Sequence, residues 1–249
     1  MLTLTPFPGI PLIQEGDNLA EIILESCKLA NLQLANGDIL VLAQKIVSKA
    51  EGRLVNLADV EPSPCAFQLA EETTKDPRVV ELILSESNEI IRKRPGLIVV
   101  EHKLGFICAN AGIDHSNVQG LEHVLLLPED SDKSAERLRS SLEKTTGTKL
   151  GVLIIDSHGR AWREGTVGIT IGISGIPGVV DMRGKDDLFG RELQITQIGA
   201  ADEIAAAASL MMGQANEGKP IVHVRGFPYP LRESKLEELI RPKKEDLFR

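Results

Sequence analysis

Residues 211–220 read MMGQANEGKP, and how they are read decides the fold. Gly213-Gln-Ala-Asn-Glu-Gly218-Lys219 has the spacing of a phosphate-binding P-loop, G-x-x-x-x-G-K, which Ser or Thr must follow to hold magnesium. Position 220 is proline, which offers neither a hydroxyl to a metal nor a backbone N–H to a phosphate oxygen. The flanks are also reversed, because a P-loop follows a strand and opens a helix. Upstream, AADEIAAAASLMM (200–212) is Ala-rich, with Asp202 and Glu203 in its first turn and Ile204, Ala208 and Met211 at i, i+4, i+7. That pattern predicts an amphipathic helix with Gly213 as its C-terminal stop. Downstream, PIVHVRG (220–226) reads as a strand. The segment is a Gly-rich helix-to-strand loop, and its residues alone leave open whether it is a plain turn or an anion site.

Outward from this loop, elements of both kinds alternate irregularly. Asn18 and Glu21 are spaced as a capping box before a helix over 18–30. DILVLA (38–43) reads as a buried strand, and Lys45 and Lys49 follow it directly. Ser63-Pro64 opens a short helix, and Asp76-Pro77 opens a longer one with Val79, Val80, Ile83, Leu84, Ile90 and Ile91 on one face, stopped by RPG at 94–96. Two strands, LIVV and LGFICA, lead into NAGIDHSN (110–117). A helix over about 133–145, closed by Gly147, precedes the strand LGVLII, a polar stretch DSHGRAWREG (156–165) and the alternating strand TVGITIGIS. Strand-then-strand and helix-then-helix successions break any βαβ rhythm. The expected fold is α+β, mixed sheets with packed helices, neither Rossmann nor P-loop. Residues 1–229 are read as one catalytic domain, with room for two subdomains, and 230–249 as a charged tail.

The 249 residues carry a formal charge of −8 and 3% aromatics, which argue against a basic nucleic-acid face and a base-stacking platform. No apolar run approaches the roughly 18 residues of a spanning helix, and the N-terminus lacks the succession of a signal peptide. A cytoplasmic protein with no membrane and no nucleic-acid partner is expected. Cys27, Cys65 and Cys108 form neither a disulfide framework nor a zinc spacing.

Two segments share a chemical layout. GFICANAGIDHSN leaves an apolar strand for Asn110, Asp114 and Asn117; GVLIIDSHGR runs straight into Asp156, Ser157, His158 and Arg160. Carboxylates just past neighbouring strand ends converge on a crevice and hold hard cations, although Asp and Asn also favour plain turns. His115 and His158 lack paired-His spacing and read as hydrogen-bonding groups rather than metal ligands. Glycines 165, 168, 172, 175, 178, 184 and 190, interspersed with Arg160, Arg163, Arg183, Lys185 and Arg191, either admit a ligand close to the backbone or serve turns and bulges.

VSKAEGR, NAGIDHSN, IIDSHGR, GITIGISG, GRELQIT and ADEIAA occur in this order in a chain that resembles the coenzyme F-420:L-glutamate ligases, from about residue 5 to residue 227. The resemblance implies a GTP-using enzyme that adds γ-linked glutamates to the F-420 precursor through an acyl phosphate, with two manganese or magnesium ions, potassium as an accompanying cation, and a homodimer. By the same resemblance Asp114 and Asp156 hold one ion, and Ser157 and Gln214 the second. Ile10, Pro11, Leu12, Ile13, Gln44, Lys45, Lys49 and Asn117 line the GTP pocket, completed by Met212, Gly213, Gln214, Ala215, Asn216, Glu217, Gly218 and Lys219. Some relatives carry Glu where Gln214 stands. Two other readings use the same residues: a dimetal phosphohydrolase, and a non-catalytic carrier of nucleotide or deazaflavin.

Overall fold

The computed structural model describes residues 1–118 and 120–248. In chain order its strands and α-helices are β1 (Thr3–Pro6), α1 (Leu19–Leu29), β2 (Ile39–Ala43), α2 (Gln44–Ala50), β3 (Leu54–Asn56), α3 (Pro64–Thr73), α4 (Pro77–Ser85), β4 (Ser87–Arg94), β5 (Leu97–His102), β6 (Ile107–Ala109), β7 (His123–Leu125), α5 (Ser131–Thr146), β8 (Gly151–Arg160), β9 (Arg163–Ser174), β10 (Val180–Asp181), β11 (Gln197–Ile198), α6 (Ala200–Met212) and β12 (Ile221–Arg225). This is the expected α+β fold. The main sheet runs β1-β12-β2-β8-β9, and smaller sheets are formed by β4-β5-β6, β3-β7 and β10-β11. In the main sheet β2 and β8 are parallel while the other pairs are antiparallel. No helix among the described residues is long and apolar enough to cross a membrane.

Local chemistry sets most helix ends. Asn18 Oδ1 accepts from the N–H groups of Ala20 and Glu21 and opens α1; Ser63 and Asp76, each before a proline, cap α3 and α4. Asp130 caps α5, and Gly147, at φ 70°, closes it in the left-handed conformation that favours glycine. Gly213, at φ 77°, ends α6 as its position predicts. The centre is β2, whose Ile39, Leu40, Val41 and Leu42 are all fully buried, as a strand covered on both faces requires.

Three expectations are corrected. The helix beginning at Pro77 ends at Ser85, and Ile90 and Ile91 lie in β4, which pairs antiparallel with β5; RPG is the hairpin turn between them, with Gly96 at φ 80°. The polar run DSHGR is not a loop beyond a strand end: β8 continues to Arg160 because its backbone stays paired with β9 as far as Arg163. Glycines 168 and 172 serve close helix packing rather than a ligand. A Cβ at Gly168 would stand 2.6 Å from the Ala205 carbonyl oxygen of α6, and one at Gly172 would stand 2.6 Å from that of Ser131 at the start of α5. The C-terminal stretch forms short 3-10 turns at Leu236–Leu239 and Lys243–Glu245, the first anchored by buried Leu236 and by its N–H to Asp132 Oδ2 at 2.9 Å.

Candidate active site

Because β1 and β2 are both antiparallel to β12, their C-terminal ends meet the start of β12 on one side of the sheet. There the Ala43 N–H donates to the Pro220 carbonyl at 2.9 Å, and the Phe7 N–H to that of Ile221 at 2.9 Å. The parallel partner β8 is level with the end of β2, Ala43 lying opposite Ile155. The chain therefore leaves β2 into α2 beside Asp156, which is how a parallel pair with one strand ending early makes a crevice.

A cleft of about 410 Å³ opens at this point. Ile10 to Ile13, Gln44, Lys45, Lys49, Asn117, Asp156, Ser157 and the whole of Met212 to Lys219 line it. Asp114 is not in the lining, but it is joined to it by an ion pair with Lys45. Every residue expected at the site is thus on the cleft or one contact behind it.

The backbone of Asp114 exchanges two hydrogen bonds with Leu125, at 3.0 and 2.9 Å, so β7 holds it in place. The preceding turn carries Asn110 and Ala111 at φ 50° and 54°, and Asn117 follows at φ 56°. Asn tolerates this left-handed region, whereas Ala there is strained. Burial pushes the Asp114 carboxyl up, but the Lys45 ammonium and the bonds from Ser116 outweigh it and hold the group below the usual carboxylate range. Lys49 is displaced downward by burial and by the charge of Lys45; its Nζ donates to the Asn117 carbonyl at 2.8 Å. Gln44 is fully buried, its Oε1 accepting from Ser48 Oγ at 3.0 Å while its Nε2 has no partner.

Successive side chains of a strand point to opposite faces, so Asp156 and Ser157 diverge. Asp156 shares its side with buried Cys108, whose thiol is pushed up to about 12 by burial and by the Asp156 charge. Ser157 stands opposite Gly168, on the side of α6. Ser157 Oγ donates to Gln214 Oε1 at 2.9 Å, and Gln214 Nε2 donates to Ser209 Oγ at 3.0 Å. The amide of Gln214 is clamped between two serine hydroxyls. Further along the loop, Glu217 Oε2 accepts from the Ala215 N–H at 2.8 Å, and backbone N–H groups hold that carboxyl below its ordinary range. The loop therefore presents N–H groups that bind an anion.

Sequence reasoning missed Ser209, which lines the cleft and orients Gln214. The available signal was a buried hydroxyl in the otherwise apolar stripe Ile204, Ala205, Ala208 and Met212. It also missed α2 as the element that carries Gln44, Lys45 and Lys49. His115 is not in the cleft lining, and His158 hydrogen-bonds Asp156.

The family described as F420-0:Gamma-glutamyl ligase matches residues 9–226. A coenzyme F420:L-glutamate ligase of Methanothermobacter thermautotrophicus is 47% identical, over 100% of this chain and 99% of that protein. Proteins of the same name from Methanopyrus kandleri, 47% identical over 100% and 98%, and from Archaeoglobus fulgidus, 44% identical over 98% and 95%, are similar along their whole lengths. Matched by that family over residues 9–226 and by these relatives along nearly all of its length, the chain belongs to the F420-0:gamma-glutamyl ligase family.

Proposed function

We propose that this protein is a cytoplasmic, GTP- and divalent-metal-dependent ligase that joins L-glutamate to a coenzyme F-420 precursor through γ-linked amide bonds. The shared name of its relatives supports the reaction class. The observation that carries the reading is the charge arrangement of one cleft: Lys45, Lys49 and Asp156 line it together with a loop whose N–H groups already hold a carboxylate, and Asp114 stands behind Lys45.

The donor set fits hard cations. Asp114, Asp156, Ser157 and Gln214 all offer oxygen, and magnesium in nucleotide sites is held by one or two carboxylates plus phosphate oxygens and water. Asp114 and Asp156 would hold one manganese or magnesium, and Ser157 and Gln214 a second; potassium has no assigned residue. When bound, such ions neutralise the charge of the transferring phosphoryl group.

In this reaction a carboxylate oxygen of the precursor attacks the γ-phosphorus of GTP, GDP departs, and an acyl phosphate forms. The amine of L-glutamate then attacks the acyl carbon, the carbon–oxygen bond to phosphate breaks, and the amine proton passes to solvent. No side-chain nucleophile is needed, so positioning and charge carry the catalysis. A phosphate beside Lys49 would offset the burial and the Lys45 charge that displace it downward. An acceptor on the nucleotide would satisfy the buried Gln44 Nε2. The homodimer is proposed on the nearly full exposure of Leu188, Phe189 and Ile195, apolar side chains that a second copy would cover.

Mass spectrometry of the F-420 precursor after incubation with L-glutamate, GTP and manganese tests this reading. The expected product is heavier by glutamyl residues, with GDP and phosphate formed in step. GTP hydrolysis without that mass gain would instead favour a phosphohydrolase, and binding without consumption a carrier.

A further inference from the structure

Asp156 and His158 are two residues apart on β8, so both side chains leave the same face. His158 is 8% exposed, and its Nε2 lies 2.9 Å from Asp156 Oδ2. Its Nδ1 is buried with no partner. A carboxylate only accepts, and a neutral imidazole has one donor and one acceptor. The proton of this bond therefore sits on Nε2, and Nδ1 is the ring atom left unpaired.

The ring is held from behind. Phe106 packs on His158 with centroids 5.4 Å apart, tilted by 50°, and is itself stacked on buried His102 at 5.2 Å and 6°. Burial above all, with smaller contributions from Lys103, Arg53 and His158, lowers His102 to about 4. A ring fixed in this way fixes the oxygen it touches.

We propose that His158 is a positioning residue for Asp156: its Nε2–H locks Oδ2, so that the carboxylate presents Oδ1 to a divalent cation in one preset orientation. This rests on the reading of Asp156 as a metal ligand. Hydrogen-bond partners that orient a ligating group are worth about 10- to 100-fold in metal affinity. The role differs from packing, because it belongs to one donor atom and not to the bulk of the ring.

The test is manganese binding to the whole chain in the presence of a saturating non-hydrolysable GTP analogue, by electron paramagnetic resonance of the free ion and by calorimetry. Four variants are compared: Asp156→Asn, His158→Leu, His158→Gln and His158→Asn. Asp156→Asn should abolish the site, and His158→Leu should weaken it by about 10- to 100-fold. Gln carries an amide donor that reaches where Nε2 stands and should restore most of the loss; Asn is too short and should not. Wild-type binding by His158→Leu overturns the proposal, as does equal weakness of the Gln and Asn variants, which would mark a packing role. If His158→Leu loses its near-ultraviolet circular dichroism, the Gln and Asn pair decides alone. Unchanged binding in Asp156→Asn would sink the metal reading of Asp156 itself, a failure distinct from the others.

Discussion

Replacing Gly168 by Ala probes how the sheet sets the cleft. The added Cβ would stand 2.5 Å from Ser209 Cβ and 2.6 Å from the Ala205 carbonyl oxygen, whereas ordinary contact begins at 3.4 Å. Helix α6 must therefore retreat by about 0.9 Å, because a backbone carbonyl cannot rotate aside as a side chain can. Overpacking of this kind costs about 1–3 kcal/mol, and at about 2–4 °C per kcal/mol for a chain of this length the melting temperature should fall by about 2–12 °C. Ser209 moves with α6 and carries Gln214 with it. Gly172→Ala is the control: its Cβ would meet Ser131 Cβ at 2.5 Å and the Ser131 carbonyl oxygen at 2.6 Å, on α5 instead of α6. Both variants should lose stability, but only Gly168→Ala should weaken nucleotide binding, by about tenfold or ~1.4 kcal/mol. Differential scanning calorimetry and calorimetric titration with a non-hydrolysable GTP analogue measure the two effects. Equal loss of affinity in both variants, or unaltered melting in Gly168→Ala, would refute the reasoning.

Gln214→Ala should raise the manganese concentration needed for half-maximal ligation, and Gln214→Glu, which adds a charge that hard cations prefer, should lower it or leave it unchanged; a metal titration with an indifferent Ala variant would remove Gln214 from the site. Lys49→Ala should raise the KM for GTP by about tenfold, the lower end of a charge-assisted contact, and leave the KM for glutamate little changed, so equal effects in steady-state kinetics would assign Lys49 a structural part. Asp38, buried beneath Arg225 and His223, is held below its ordinary value by those two partners despite the opposing effect of burial. A depressed carboxyl gives stability that is present above its unfolded value, about 3.9, and is lost as pH falls through the folded value. Asp38→Asn should therefore be less stable than the parent at pH 7 and approach it on acidification, and melting curves that stay parallel from pH 7 to pH 2.5 would contradict this.

Features set within a few residues were legible in the sequence. Asn18, Ser63-Pro64, Asp76-Pro77 and Gly213 each cap or stop a helix through bonds to their own neighbours. Ile90 and Ile91 were misread because their spacing continues the α4 stripe, and only pairing with β5 makes them strand. DSHGR hid its strand for a similar reason: backbone bonds to β9 define it, and its side chains are too polar to show a buried face. Of the cleft, the motifs around Asp114, Asp156 and Gln214 announced themselves through the family resemblance. Nothing local shows that Lys45 meets Asp114 from 69 residues away, or that Ser209 needs Gly168 to have no side chain.

The order of strands in the main sheet has a consequence for how the chain is born. β2, the most buried strand, has β12 on one side and β8 on the other, and both are encoded far downstream. About 180 residues separate the end of β2 from β12, and at about 5–20 residues per second their synthesis takes roughly 9–36 s. Until β8 is made, ILVL at 39–42 has neither neighbour to bond its backbone, and from then until β12 is made it still lacks one. It is a short, uncharged, β-prone segment, of the kind that pairs with other chains when left open. The contacts joining both ends of the chain, Thr3 opposite Arg225 and Pro6 opposite Val222, close the longest loop and belong among the late steps of folding. A nascent chain truncated before residue 221 would thus carry most of the cleft residues yet keep one edge of β2 unpaired, and it would depend on holding chaperones until the final strand emerged.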